Sequence, residues 1–262
     1  MADIPTKNPQ AYDAYLRGQA SLHKQGFEPI ERAIEYLQKA VELDPQYAQA
    51  WAQLGIAESQ KSLYERTPAQ LERARVAAET AVRLQPELAE THRGLASYYY
   101  YGLGDFDRAL LEAEQARSRD PNNSGVIFYI GLLKRRQGKL DEAIEYLHKA
   151  TQFDPRNSDI WANLGGSYRG KRDFKTAREM IDRALAISPA ELDLIGYKAE
   201  TYTAEGNLDA ADEVLRGHQI TPHTEAFFQR TYSLICRRRF DEAIKSFEGT
   251  EKKAATFAPL MG

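Results

Sequence analysis

Residues that could carry catalytic or metal chemistry are few and scattered in this chain of 262 residues. The five histidines are spread along the sequence, with one pair five residues apart across a proline: His23, His92, His148, His218 and His223. The single cysteine, Cys236, has no candidate base beside it, although a nucleophilic thiol needs one. No phosphate-binding loop, nucleophile elbow or zinc-protease helix motif occurs. We therefore predict no enzyme activity, no metal site and no cofactor.

The overall charge and apolar pattern exclude further classes of function. The chain has 35 basic and 38 acidic residues, a net charge of -3, so it lacks the basic excess that contacts to phosphates require. No apolar run approaches the roughly 18 residues of a membrane span. We predict no nucleic-acid partner and no membrane insertion. One cysteine fits a reducing compartment, which predicts a cytoplasmic protein; a periplasmic lobe of a membrane-anchored regulator is the alternative.

The strongest signal in the sequence is an internal repeat. Similar stretches include "ERAIEYLQKAVELDP" (31–45), "LDEAIEYLHKATQFDP" (140–155) and "KTAREMIDRALAISP" (175–189). Each has an alanine, a second alanine seven residues later and a proline twelve residues later. The first alanine falls at positions 33, 74, 109, 143, 177, 211 and 243, so most spacings are close to 34 residues. A period of this length is typical of arrays built from one supersecondary unit.

Each unit reads as two helices. In "DIWANLGGSYRGKRDF" the positions of Trp161, Leu164, Gly165 and Tyr168 share one helix face, and a turn follows. The second helix carries alanines where the helices approach and ends before proline, which cannot continue it. This pattern resembles the tetratricopeptide repeat (TPR) family over about residues 10–250. The resemblance implies one all-α, right-handed TPR solenoid over residues 1–262, a superhelix with repeats at about 9–46, 47–87, 88–122, 123–156, 157–190, 191–222 and 223–250, then a tail at 251–262.

The start of the chain carries a second resemblance. The opening "NPQAYDAYLRGQASL" and the later stretch "AIEYLQKAVELDPQYAQAWAQLG", about forty residues together, are similar to the TPR regions of bacterial multidomain signalling regulators. Those proteins carry an adenylate cyclase or winged-helix output domain. The resemblance implies a bacterial source and a sensor or docking role toward a separate or missing signalling output domain.

Four consecutive tyrosines in "SYYYYGLGDFD" (97–107) cannot all face one way, because successive helical residues lie about 100° apart. Alignment of the repeats places Tyr99 on the seam between the paired helices. Tyr98 then lies against the preceding repeat, and Tyr100 and Tyr101 point into the concave groove, where TPR proteins bind peptides.

The same register gives a set of candidate partner-binding residues along the groove. Aromatic and arginine side chains dominate it, and both types are enriched in binding hot spots. The predicted partner-binding residues are Arg93, Tyr100, Tyr101, Phe128, Tyr129, Arg135, Asn163, Arg169, Tyr197 and Tyr232. The alternative is that these side chains only pack together or form a solvated, salt-bridged face. Neither an asparagine ladder nor a two-carboxylate clamp is present, so chaperone-tail binding is not predicted.

These patterns favour a non-catalytic scaffold that binds a partner protein or peptide in the groove. The repeats also depart from one another: the second carries about seven extra residues around "KSLYERTPAQ", the third one extra residue, and the sixth has His218 at its second alanine position. We expect looser packing at the sixth repeat. An alternative function is self-association, as a possible homodimer, or docking onto an output domain through the C-terminal end with Phe247 and Phe257.

Overall fold

The computed structural model describes residues 6–22, 27–222 and 224–247. Within these residues it contains fourteen α-helices, one π-helical turn and no strand. The helices are α1 Pro9–Leu22, α2 Phe27–Leu43, α3 Ala48–Lys61, α4 Pro68–Leu84, α5 Ala89–Ser97, the π-turn Tyr98–Leu103, α6 Phe106–Arg119, α7 Ser124–Arg136, α8 Leu140–Phe153, α9 Ser158–Gly170, α10 Phe174–Ile187, α11 Leu192–Glu205, α12 Leu208–Leu215, α13 Glu225–Cys236 and α14 Phe240–Phe247. His23, His223, Phe257 and the tail at 251–262 lie outside the described residues.

Prolines end the second helices as the sequence predicts. Five of these helices stop two residues before a proline, at Leu43, Leu84, Arg119, Phe153 and Ile187. The proline ring removes a hydrogen-bond donor and forces the preceding residue out of the helical region. The prediction of an all-α array of helix hairpins is confirmed. Along the described helices, no stretch combines the length and apolar character that a bilayer crossing requires.

The side chain at the tryptophan position of the repeat forms a hydrogen bond to the preceding turn. The indole Nε1 of Trp51 donates to the carbonyl oxygen of Pro45 at 3.0 Å, and Trp161 donates to Pro155 at 2.9 Å. His92 occupies the same position in the third repeat, with its Nε2 2.7 Å from the carbonyl oxygen of Pro86. In these three repeats a ring nitrogen therefore links the first helix to the turn before it.

Glycine follows leucine in the first helices because the paired helices nearly touch there. A Cβ atom on Gly55 would lie 3.0 Å from the amide nitrogen of Ala78, and one on Gly165 would lie 2.9 Å from the carbonyl oxygen of Ala177. Any larger residue would force the two helices apart. The small residues of the repeat are thus requirements of helix packing.

The chain divides into two compact units. The N-terminal unit comprises the described residues up to Leu133, and its core includes Leu37, Tyr47 and Leu54. The C-terminal unit comprises the described residues from Lys134 onward, and its buried side chains include Leu164, Ile181 and Leu194. The boundaries of the individual repeats, and the single continuous domain, remain predictions.

The extra residue of the third repeat is accommodated in the π-turn at Tyr98–Leu103. A π-turn holds one residue more than an α-turn, so side chains beyond it rotate by about 100° relative to an uninterrupted helix. The turn ends at Gly104, whose φ of +68° is a left-handed conformation that glycine adopts without strain. The groove register inferred by alignment therefore does not extend through the four tyrosines.

The sixth repeat is shortened at its second helix. Helix α12 spans 8 residues, whereas α10 in the fifth repeat spans 14. Residues 216–222 form no helix, and Gly217 turns the chain with a φ of +82°. The irregular sequence around His218 therefore removes part of a helix, which is a larger effect than a substituted alanine.

Candidate functional site

The C-terminal unit contains a cavity of about 440 Å³ on the first helices of its repeats. Four of the predicted partner-binding residues meet there, from the end of α7, from α9 and from α11. The lining residues are Arg135, Arg136, Ala162, Asn163, Gly166, Arg169, Ile181 and Tyr197. The volume falls within the range of pockets that hold a ligand or several side chains of a partner.

Arg135 is held in place by the fifth repeat. Its Nη2 donates to Oδ1 of Asn163 at 2.8 Å, and its Nη1 donates to the main-chain carbonyl of Asn163 at 3.2 Å. Asn163 in turn donates through Nδ2 to the carbonyl oxygen of Asp159 at 2.9 Å. The guanidinium thus reaches the cavity with a fixed orientation, which lowers the entropy cost of binding to it.

Arg169 lies on the next turn of α9 and is half-buried. It forms an ion pair with Glu200 of α11. Burial lowers the pKa of Arg169, and the nearby Glu225 partly offsets this effect. The side chain stays protonated at neutral pH, because even a lowered arginine pKa is far above 7. It therefore contributes a partly desolvated positive charge to the cavity.

Gly166 and Tyr197 determine the shape of the cavity. A Cβ atom on Gly166 would lie 3.0 Å from Nη1 of Arg135, so the missing side chain keeps space open beside the guanidinium. Tyr197 contributes an aromatic wall, and burial strongly raises the pKa of its phenol, which therefore remains neutral. The cavity combines a positioned donor, an aromatic surface and open volume.

In the N-terminal unit the predicted site residues are more enclosed. Arg93 is half-buried, and burial lowers the pKa of its guanidinium, while Glu90, Tyr15 and Tyr129 act in the opposite direction. Tyr101 and Phe128 are half-buried. The ring of Tyr101 meets that of Tyr100 edge-on, with centroids 4.6 Å apart. The rings of Tyr100, Tyr101 and Tyr129 thus pack against one another.

Tyr100 and Tyr129, expected as anchors in the groove, are buried instead. Each is 6% exposed, and their rings pack edge to face with centroids 5.5 Å apart. Tyr129 also donates its hydroxyl to the carbonyl oxygen of Ala96 at 3.0 Å. The rotation at the π-turn accounts for Tyr100, and that internal hydrogen bond accounts for Tyr129. Tyr98 packs against Ala74 and Ala78 of the preceding repeat, where alignment placed it.

Helix α13 presents an exposed apolar stripe. Phe228, Tyr232 and Ile235 follow one another by four and three residues, so they share one face, and all are exposed. Tyr232, a predicted partner-binding residue, is 52% exposed. The stripe lies on the face that the repeat pattern assigns to the groove.

Sequence reasoning missed one member of the cavity and one buried polar pair. Ile181 reaches the cavity from α10, a second helix, whereas the predicted partner-binding residues all come from the first helices. Glu58 and Gln70 are fully buried between α3 and α4, although both types usually lie on solvated faces. A signal for Gln70 was its place at the end of the inserted stretch "KSLYERTPAQ" of the second repeat.

The described part of the chain contains no group of three histidine, cysteine, aspartate or glutamate residues able to hold a metal ion. The cavity itself offers hydrogen-bond donors, a positive charge and an aromatic wall, and its lining contains no nucleophile paired with a base. This chemistry is suited to binding.

Family models match parts of the chain. The model described as TPR repeat matches residues 131–169, and the model described as tetratricopeptide repeat matches residues 30–47 and 158–191. These segments include Arg135, Asn163 and Arg169. The comparison with curated proteins finds no match.

Several solved structures have a similar fold. The human IFIT1 dimer with m7Gppp-AAAA is 21% identical with a TM-score of 0.77, over 94% of this chain and 60% of that one. A tetratricopeptide repeat protein from Parabacteroides merdae is 14% identical with a TM-score of 0.63, over 93% of both chains. A thermophilic TPR protein of Thermus thermophilus is 18% identical with a TM-score of 0.60, over 74% of this chain and 98% of that one. The chain spans about 60% of the length of the IFIT1 chain, and these likenesses concern the fold.

Proposed function

Because the chain is a tetratricopeptide repeat protein, we propose that it is a non-catalytic scaffold that binds a segment of a partner protein. The observation that carries this proposal is the 440 Å³ cavity around Arg135, Asn163 and Tyr197. Arginine and tyrosine are the side chains from which binding hot spots are most often built. The partner segment lies along the first helices of the C-terminal unit, with Arg135 and Arg169 as polar contacts and Tyr232 as an apolar one.

Filling the cavity tests this proposal. Gly166→Leu fills the space beside Arg135, and leucine also favours the helix over glycine. Peptides selected by the wild-type chain from a displayed random library are expected to bind Gly166→Leu about tenfold more weakly or worse, because the open volume is lost. Affinity is measured by fluorescence anisotropy.

The control is Lys175→Gln, an exposed change on α10 away from the cavity lining, which should leave peptide affinity unchanged. Equal affinity for the wild type and a folded Gly166→Leu chain would remove the cavity from the binding site. Failure to select any peptide would count against the proposal as a whole.

The same assay addresses nucleic acid. IFIT1 was solved with m7Gppp-AAAA, so this fold does not by itself exclude such a ligand. For the present chain we expect no binding of m7Gppp-AAAA at physiological salt, since its net charge of -3 provides no excess of cations for phosphates. Binding that Gly166→Leu abolishes would replace the protein partner with a nucleic-acid one.

Self-association is the second candidate function, and helix α14 favours it. Phe240, Ile244 and Phe247 follow one another by four and three residues on one face, and all are exposed. Exposed apolar patches of this kind often mark interaction sites. If copies pair through this face, the molar mass measured by light scattering should rise with concentration, and Ile244→Glu should keep the chain monomeric. A mass independent of concentration would reject self-association.

The proposal extends to the cellular role only in outline. A bacterial source, a cytoplasmic location and a role in signalling rest on the resemblance of the opening residues and on cysteine content. Docking to an output domain would use the same groove or the α14 face, so the two experiments above also bear on it.

A further inference from the structure

A second cavity, of about 720 Å³, lies between the sixth and seventh repeats. It arises where α12 stops at Leu215, six residues short of the length of α10. Six helical residues would occupy roughly 9 Å along the axis, and residues 216–222 leave that length unfilled by a helix. The cavity is therefore built into the irregular sixth repeat and lies apart from the site proposed above.

One face of α13 forms the base of this cavity. Phe227, Arg230, Leu234 and Arg237 line it at spacings of three and four residues. Leu215 and Ile220 add apolar surface from the sixth repeat. Apolar and cationic side chains therefore alternate along the base of the cavity.

The hydroxyl of Ser233 is buried at this base without a partner. Ser233 is 2% exposed, lines the cavity, and its Oγ makes no hydrogen bond within the described structure. A buried polar atom without a partner is costly, and most such atoms in native proteins bind something. Ser233 therefore places an unpaired hydroxyl at the lining of the cavity, and a ligand group within hydrogen-bond reach would satisfy it.

The cationic side chains around the cavity outnumber the carboxylates paired with them by one. The cationic lining residues are Arg216, Arg230, Arg237, Arg239 and Lys245. Four carboxylates balance them: Glu213 pairs with Arg216, Asp209 and Asp212 pair with Arg237, and Glu242 lies beside Arg239 and Lys245. Among the described residues, Arg230 has no carboxylate partner. Arg230 is exposed, and a ligand carboxylate that pairs with it would balance this surplus.

We propose that this cavity binds a small organic monoanion, a carboxylate attached to an apolar body. The carboxylate accepts hydrogen bonds from Arg230 and from the hydroxyl of Ser233, which are three residues apart on one face of α13. The apolar body lies against Phe227, Ile220 and Leu234, where the missing turns of α12 would otherwise pack. A dianionic phosphate ester is the less favoured ligand, because only one positive charge is in excess.

Three probes of one size class test the proposal: 3-phenylpropanoate, its neutral amide, and phenyl phosphate. Calorimetry and protein chemical shifts should detect 3-phenylpropanoate, with the amide at least about tenfold weaker because it loses the charge-assisted hydrogen bonds. Arg230→Gln should weaken 3-phenylpropanoate about tenfold, and Ser233→Ala several-fold, while both variants stay folded. Lys175→Gln, outside the cavity, is the control and should bind as the wild type does.

Three results would overturn the proposal: equal affinity for the acid and its amide, unchanged affinity in Arg230→Gln, or no binding of any probe to the folded chain. Tighter binding of phenyl phosphate than of the carboxylate would overturn the assignment of a monoanion. Peptide binding in the groove is measured separately with Gly166→Leu, so either proposal can fail without the other.

Discussion

Gly196→Ala is expected to lower the free energy of unfolding by about 2–3 kcal/mol, although alanine favours a helix interior over glycine by about 1 kcal/mol. A Cβ atom at this position would lie 2.3 Å from the amide nitrogen of Ala226 and 2.4 Å from the carbonyl carbon of Glu225. Both atoms belong to the main chain at the start of α13. Main-chain atoms cannot swing aside, so α11 and α13 must separate.

The contact at Gly196 is reinforced by a neighbour on the same helix. Asp193 accepts a hydrogen bond from the amide of Glu225 at 2.6 Å, which holds the first turn of α13 over α11. Burial raises the pKa of Asp193, so keeping its charge in this position already costs stability. Separation of the helices would weaken this bond as well.

The matched control is Gly166→Ala, which is also in the interior of a first helix. There the new Cβ would meet only Nη1 of Arg135 at 3.0 Å, and this end of a long side chain can shift by a few tenths of an ångström where main-chain atoms cannot. We expect Gly166→Ala to be neutral or stabilising, because alanine is the better helix former. Urea unfolding and thermal melting of the two variants measure the difference. Equal stability of the two variants would mean that the main-chain contact at Gly196 is not tight.

The helix ends and helix contacts that recur in this fold could be predicted from sequence, because the same residue types recur in each repeat. Proline positions determine where second helices end, and the Leu-Gly pair determines where helices touch. These are local constraints: residues such as Pro155 and Gly165 impose them independently of contacts elsewhere in the chain. Helix identities and approximate ends follow from such residues without knowledge of tertiary contacts.

The four tyrosines show where this reasoning stops. One inserted residue can be taken up by a longer turn or by a π-turn within the helix, and the sequence does not say which. The π-turn at Tyr98–Leu103 turned Tyr100 inward against Phe106 and Tyr129. Which tyrosine becomes buried depends on packing between repeats, which local spacing does not encode.

In the candidate site, too, the positions of the residues could be predicted from the repeat pattern, whereas the contacts between repeats could not. Arg135, Asn163, Arg169 and Tyr197 lie in regular repeats, and the structure brings them around one cavity. Their bonding was not predictable: the bond between Arg135 and Asn163 depends on the distance between two repeats. Ser233 and the second cavity depend on the early end of α12, for which the sequence offered only an irregular spacing.

The second large effect is expected from Gln70→Leu, which should lower the free energy of unfolding by about 3 kcal/mol. The substitution leaves a buried carboxylate without its main hydrogen-bond partner. Glu58 is 2% exposed, and Gln70 is fully buried. Nε2 of Gln70 donates to Oε2 of Glu58 at 2.6 Å and to the main-chain oxygen of Glu58 at 2.7 Å. Arg73 lies at 3.5 Å from the same carboxylate and also donates to Gln70, so one amide joins both charged groups.

A double-mutant cycle distinguishes the contribution of the hydrogen bond between Glu58 and Gln70 from that of side-chain packing. Glu58→Leu removes the buried charge, and in that background Gln70→Leu should cost far less, since replacing both partners with apolar residues removes the unpaired group. Glu72→Leu, on the exposed face of α4, is the surface control and should change the unfolding midpoint little. If Gln70→Leu costs the same with and without Glu58, the loss comes from shape alone. A strong coupling would mean that this buried bond secures α4 where the insertion of about seven residues meets the helix. Among the described residues, no other repeat has a bond of this kind.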